Sequence, residues 1–478
     1  MKRVVSLLLF CLLLASATAQ AATEVKMAGD FRAYGVFFQN HNWTTWNAAG
    51  TQTEEAFEIW QRWRLRSDFV ANEAVKFRLG TRVNDTPWGY GTYTAANPTV
   101  SIEVYQAYLQ FKLPACDIEV TAGYQPISLP QSPIFYDSVV LASKRESNSF
   151  AGLVVKAPII KDTLNVFAGF SRLIDVNRTY DTTTTQVDDE LDAYFLTLPI
   201  IIDGFKATPW AMAAVVGKAS TGAVTSIRNG LVSGGSFIAP TGFNNTDNPY
   251  WWAGTSLELT ALDPLKFYGD VIYGQGASAD YKRNERRGWF IDAAVQYTGF
   301  DWATPELGGW WSTGEDNSIA NGSERLPSIA NNFGMGNSFL YPTGQDLSKN
   351  DMGVNPIGSW GLTGSIKNIS FLEKLSQRLT FTATWGNNSP AGLRKAVLAS
   401  GGTGKYLTMG KDLAIGEYVL GANFDSKYML YENLALIVET GWAHYGNPNG
   451  SIWNTASRRF TKNVGDAWMA SFGFKYTF

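Results

Sequence analysis

The residues of this chain that could do chemistry are charged side chains at alternate positions, and the chemistry they allow is electrostatic guidance rather than bond making. Arg62, Arg64 and Arg66 share one side with Glu58 and Asp68, opposite Phe57, Ile59, Trp63, Leu65 and Phe69. Lys76, Arg78 and Arg82 repeat the pattern a short distance on, and Arg32 precedes them. Positions two apart fall on one face of a strand, so three consecutive strands would gather these seven cations on one sector of a wall. Phe57, Trp60 and Trp63 also sit at helical spacing, but the strict alternation of residues 75–83 decides for strands. Charges that dense are costly in a dry interior. Lining water, they form a rail for anions.

Catalytic and ligating constellations are missing by comparison. His41 and His444 stand far apart, no Gly-x-Ser-x-Gly elbow occurs, and Cys116 has no second thiol outside the N-terminal apolar run that holds Cys11. A barrel hydrolase needs a nucleophile with a paired base, so the sequence predicts no enzyme, no cofactor and no metal site.

The elements that would position the charges are strands from end to end. Alternation recurs over 25–37, 56–69, 75–83, 102–113, 118–124, 151–157, 164–170, 191–198 and 205–216. It continues over 251–261, 265–273, 289–297, 303–312, 360–366, 379–384, 417–426, 434–443 and 465–478. Short breaks such as Asp203-Gly204 and Asp263-Pro264 alternate with long polar stretches such as 173–189, 218–249, 313–357 and 387–413. Short turns at one end and long loops at the other are the habit of transmembrane barrels. The chain reads as an all-β transmembrane antiparallel barrel of about 18 strands. Sixteen is the alternative, because 303–312 is rich in Gly and Trp and holds a proline. A barrel this wide is open unless something narrows it. The connection 125–149, stiffened by Pro126, Pro130 and Pro133, is the expected constriction loop, with Asp137 and Glu146 placed to face the basic sector.

The ends agree with export. Lys2 and Arg3, the apolar run 4–14 and the small residues 17–21 read as a signal peptide over 1–21, leaving one barrel domain over 22–478. Without Lys2 and Arg3 the 39 basic residues fall to 37 against 42 acidic ones, which excludes the basic surplus of a nucleic-acid binder. No later apolar stretch approaches the roughly 20 residues of a membrane helix. At the other end Trp468, Ala470, Phe472, Phe474, Tyr476 and Phe478 share a face. The terminal Phe478, with Tyr476 and Phe474 behind it, looks like the assembly signal read by the barrel assembly machinery.

Three stretches carry a family resemblance: "WQRWRLRSDFVANEAVKFRLGTRVND" (60–85), "GTYTAANPTVSIEVYQAYLQFK" (91–112) and "DIEVTAGYQPISLPQSP" (117–133). They resemble the outer-membrane homotrimeric porins of sulfate-reducing bacteria, and more distantly the general trimeric porins, whose loop after the fifth strand sets acids opposite an arginine ladder. The resemblance implies a homotrimer embedded in outer-membrane lipid, passing small hydrophilic solutes and ions by passive diffusion. The clustered cations add a weak anion preference. The alternative is a sugar- or oxyanion-selective channel, in which Trp60, Tyr105, Tyr108, Trp210 and Trp252 could line a path, although lipid-facing girdles account for most aromatics.

Overall fold

The computed structural model describes residues 23–46, 53–91, 93–97, 99–132, 137–143, 149–176, 189–220, 230–231, 243–341, 345–347, 351–399, 407–453 and 464–478. The expected signal peptide and Glu146 lie outside them.

The alternating segments form one closed antiparallel sheet. Its strands are β1 (Glu24–Gln39), β2 (Glu55–Asn72), β3 (Val75–Pro87), β4 (Glu103–Lys112), β5 (Glu119–Gln125) and β6 (Phe150–Ile160). Then come β7 (Leu164–Asp175), β8 (Glu190–Thr197, resumed at Ile200–Ile202), β9 (Phe205–Gly217), β10 (Asp247–Leu262), β11 (Leu265–Gly276) and β12 (Arg286–Tyr297). The set ends with β13 (Thr304–Ser312), β14 (Ser359–Ile369), β15 (Leu375–Gly386), β16 (Tyr418–Tyr431), β17 (Leu434–Gly446) and β18 (Ala467–Thr477). The two pieces of β8 both pair with β7 and β9, so they occupy one place in the wall. The break falls at Pro199, which has no N–H to give the ladder. That leaves 18 strands. The doubtful segment 303–312 is a true strand, paired on both sides.

Closure comes from β18 on β1, in register from Asp30↔Thr477 to Gln39↔Trp468. Phe478 finishes the seam: its N–H donates to Gly29 O at 3.1 Å, and the Gly29 N–H donates to Phe478 O at 2.7 Å. A Cβ on residue 29 would lie 2.6 Å from the Phe478 ring, so glycine is required there. Tight turns such as Glu73-Ala74, Asp203-Gly204 and Glu432-Asn433 lie at the end that holds Glu24 and Phe478, and the long connections lie at the other.

The two faces of the wall differ as the period-two pattern requires. Outward side chains are bare and apolar: Phe57, Leu307, Phe381 and Phe472 are exposed, and Trp360 stacks on Trp385 at 4.3 Å. Inward positions carry many polar side chains, among them Asp30, Arg32, Asp270, Thr363, Thr382, Asn423 and Glu439, beside large ones such as Trp252, Phe290 and Trp310, all buried. An apolar exterior with a polar interior is the arrangement lipid demands of a barrel. No helix among the described residues is long and apolar enough to cross a membrane.

Among the described residues, stretches of the long connections 126–143 and 313–358 turn into the barrel. In 126–143, Val139, Val140 and Leu141 are wholly buried, and the Asn332 N–H donates to Ser138 O at 2.7 Å. In 313–358, Leu326, Phe333, Met335, Phe339, Leu340 and Tyr341 are wholly buried. They pack on inward aromatics of the wall, with Phe333 5.7 Å from Phe290 and 5.2 Å from Trp310 between ring centroids. Each such side chain contributes about 1.5–3 kcal/mol by leaving water. Together they make an apolar core inside the barrel.

Candidate functional site

The inner wall makes room for the second segment with glycine. A Cβ on Gly308 would lie 2.6 Å from the Met335 sulfur, one on Gly421 2.8 Å from Leu340, and one on Gly441 2.9 Å from Phe339. Hydrogen bonds fix what the shape admits. Trp252 Nε1 donates to Pro327 O at 2.8 Å, Tyr341 and Thr384 hydroxyls meet at 2.8 Å, and Gly336 O accepts from Ser365 and Thr380 at 3.0 and 2.9 Å. The segment therefore crosses from β10 past β14 and β15 to β16 and β17. At its far reach it meets the basic sector: Arg32 Nη1 donates to Asp346 O at 2.8 Å, and Lys475 pairs with the Asp346 carboxylate at 2.6 Å. Glu439 accepts from the Asp346 and Leu347 N–H groups.

The seven expected cations stand on β1, β2 and β3, on the face opposite Phe31, Phe57, Phe69 and Phe77. They are not a bare rail. Arg32 pairs with Asp85 at 2.6 Å, Arg62 and Arg64 with Asp30 at 2.8 and 2.5 Å, Arg78 with Asp68 at 2.6 Å, and Arg82 with Glu103 at 2.9 Å. Arg66 and Lys76 continue the face toward the short-turn end. Asp85 and Glu103 were missed as partners because each sits beyond the regular alternation, past the bulge between Gln61 and Trp63 or on the next strand. Arg78 and Arg82 also lie over the rings of Tyr108 and Tyr105, at 5.9 and 5.6 Å.

The constriction differs from expectation in its main element. The described residues 126–132 and 137–143 do enter the barrel, but Asp137 is buried and its carboxylate accepts from the Ser128 hydroxyl. The larger obstruction is 313–358, which sequence analysis treated as an outer loop. Its signal was the apolar spacing Leu326, Ile329, Phe333, Phe339, Leu340, too rich for a solvated loop. Trp210 and Trp252, 5% and 1% exposed, belong to the internal core, so they are neither lipid girdle nor solute path.

Between the obstruction and the short-turn end lies a polar cavity of about 320 Å³. Asp346, Lys367, Arg378, Asp425, Lys427 and Glu439 bring charge of both signs to it. Arg378 pairs with Asp425 at 2.7 Å, and Lys367 with Glu306 at 2.7 Å. Such a volume suits a small molecule. Walls of paired charges offer donors and acceptors to a hydrophilic solute and nothing to an apolar one.

A closed 18-strand antiparallel barrel, apolar outside and charged inside with connections folded into its lumen, has the architecture of a transmembrane β-barrel. Solved structures of that architecture are similar along almost the whole chain. Pseudomonas aeruginosa OpdQ matches at 10% identity and TM-score 0.51, over 96% of this chain and 99% of that one. Pseudomonas aeruginosa OccK2 (OpdF) matches at 11% identity and TM-score 0.53, over 95% and 98%. Its complex with glucuronate matches at 11% and 0.52, over the same shares. At these identities the likeness establishes the fold. No protein-family model and no curated protein matches the sequence.

Proposed function

We propose that this chain is an outer-membrane channel for small hydrophilic solutes, narrowed enough to select among them. The observation that carries the reading is the crossing of the lumen by 313–358, anchored at Asp346 on the charged wall. The sequence alone favoured a general diffusion pore with weak anion preference. The filled interior, and the glucuronate complex of a barrel with the same fold, support the selective alternative better. Passage remains passive in this reading. The cations gathered on β1 to β3, with Lys367, Arg378 and Lys427 around the cavity, favour anionic solutes such as sugar acids over neutral ones of equal size.

Export by the segment 1–21, insertion by the barrel assembly machinery through Phe474, Tyr476 and Phe478, and a homotrimer in outer-membrane lipid belong to the same reading. Planar-bilayer conductance and liposome swelling test it. Low conductance, with a uronate entering faster than the matching neutral hexose, is the expected result. A large, unselective conductance, or none, would sink the proposal. Native mass spectrometry of the detergent-extracted protein checks the trimer.

A further inference from the structure

We infer that the root of the inward segment, residues 315–324, is a binding site for a hard divalent cation, Ca²⁺ above all. Glu315, Asp316 and Glu324 each offer one carboxylate oxygen, and these oxygens lie within 4.8 Å of one another. That span is about twice a Ca–O bond of about 2.4 Å, so the three fit in one coordination sphere.

Clustered acids alone would mean little, but the polar atoms around them are left incomplete in a particular way. Glu315 is only 7% exposed, and its Oε1 accepts no hydrogen bond among the described residues. Its Oε2 accepts from the Ser323 hydroxyl at 2.6 Å, which fixes the carboxylate plane and leaves Oε1 directed away from that partner. Asn321 shows the same pattern: its Nδ2 donates to Asp316 at 2.8 Å, while its buried Oδ1 has no partner. Two buried oxygens without donors, one of them on Glu315 and the other beside Asp316, are what a cation would satisfy. An unsatisfied buried acceptor is otherwise a cost of about 1–3 kcal/mol.

The loop is held in shape without the ion. The Asp316 N–H donates to Glu324 at 3.2 Å, the Ser318 N–H donates to Asp316 at 2.6 Å, and Thr313 donates to Glu324 O. The neighbouring cations act on these acids across space, Arg325 and Arg286 on Glu315 and Arg287 on Glu324, and each also has a partner elsewhere. Arg325 pairs with Asp412 at 2.8 Å and Arg287 with Glu285 at 3.9 Å, while Arg286 Nε donates to Arg325 O at 3.1 Å. All-oxygen ligands on a closed loop suit Ca²⁺, whose shell is large and irregular, better than Mg²⁺ or a transition metal. The site lies between the end of β13 and Leu326, where the chain turns inward. Ca²⁺ there would clamp the segment that narrows the lumen.

The site stands on this loop geometry and not on the channel reading. The test is therefore binding to the whole refolded protein in detergent, free of lipopolysaccharide, which itself holds divalent ions. Equilibrium dialysis with ⁴⁵Ca²⁺ should find one site per chain saturating near or below about 1 mM, the range of extracellular calcium modules. Ca²⁺ should protect the 313–326 backbone from hydrogen exchange. Glu315→Gln, and separately Asp316→Asn with Glu324→Gln, should weaken binding at least tenfold, with the heat-modifiable mobility of the folded barrel confirming assembly. No binding by the wild type, or undiminished binding by both folded variants, would overturn the proposal. Failure of solute transport would leave this site standing, and failure of Ca²⁺ binding would leave the channel standing.

Discussion

Arg32 and Asp346 are 314 positions apart in sequence, yet the guanidinium of one donates to the main-chain carbonyl of the other at 2.8 Å. The same guanidinium pairs with Asp85, with both side chains about nine-tenths buried. One side chain thus ties the wall at β1 and β3 to the tip of the crossing segment. Arg32→Met keeps the bulk and removes every donor. It should leave Asp85 without its cation, destabilising the region by on the order of 3 kcal/mol, and should release residues 345–347. Single-channel conductance should rise, and hydrogen exchange of that stretch should quicken by tenfold or more. Unchanged conductance would place the tip outside the solute path.

Arg64 tests the wall itself. Its guanidinium shares Asp30 with Arg62 and faces Arg82 across the β2–β3 ladder. Arg64→Glu replaces one positive charge by one negative beside an existing carboxylate, a change of two units in a narrow, poorly screened space. The reversal potential under a KCl gradient should move toward cation selectivity. If it stays put, Arg64 is remote from the narrowest point.

How far the sequence could be read follows from which signal each feature leaves. A strand facing lipid on one side and water on the other must alternate, so all 18 strands, even the Gly-rich β13, could be found from period two. The cations on β1 to β3 were legible for the same reason, since alternation alone assigns their face. Their partners were not. Asp85 meets Arg32 across an intervening strand, and the bulge between Gln61 and Trp63 shifts the register that would have matched them. Segment 313–358 was hard to read as a filling element because its apolar residues follow no period. Only its isolated large apolar residues mark it, and the glycines that receive them lie on other strands. Residues 126–143 gave three prolines as a cue and did turn inward, whereas the role assigned to Asp137 depended on a side-chain direction that no pattern encodes.

The glycine pockets make a prediction that no charge argument reaches. Gly421 and Gly441 stand on adjacent strands, in the inner positions where Leu340 and Phe339 settle. Gly441→Val would bring two methyl groups into a space where a Cβ alone already comes within 2.9 Å of the Phe339 ring. Overpacking of this kind typically costs about 1–3 kcal/mol. The segment is the softer side of the contact, because the wall is hydrogen-bonded on both edges. Conductance should increase while the barrel's resistance to heat and detergent stays close to wild type. A loss of barrel stability with unchanged conductance would mean that the wall yields instead.

His41 gives the crossing segment a pH-dependent latch. Its Nε2 lies 2.8 Å from Asp351 O, and its ring meets Phe38 edge-on at 5.0 Å. Burial lowers its pKa below the ordinary 6.5 and nearby Lys411 lowers it further, with the Asp351 carbonyl opposing them only in part. Glu54, also in this loop, is itself pushed up by burial and stays close to neutral longer than an exposed acid. The released loop, with an ordinary imidazole, therefore binds a proton more readily than the latched one. The latch is at full strength above about pH 6.5, the free imidazole value. It weakens as pH falls from there to the lower value of the docked ring, with at most one proton taken up. Hydrogen exchange of residues 351–354 should quicken over that window and then level off. His41→Gln, which has no proton to gain, should give a flat profile over the same range. A wild-type profile that is equally flat would remove the latch, and a His41→Gln profile that still bends would assign the acid response to another group.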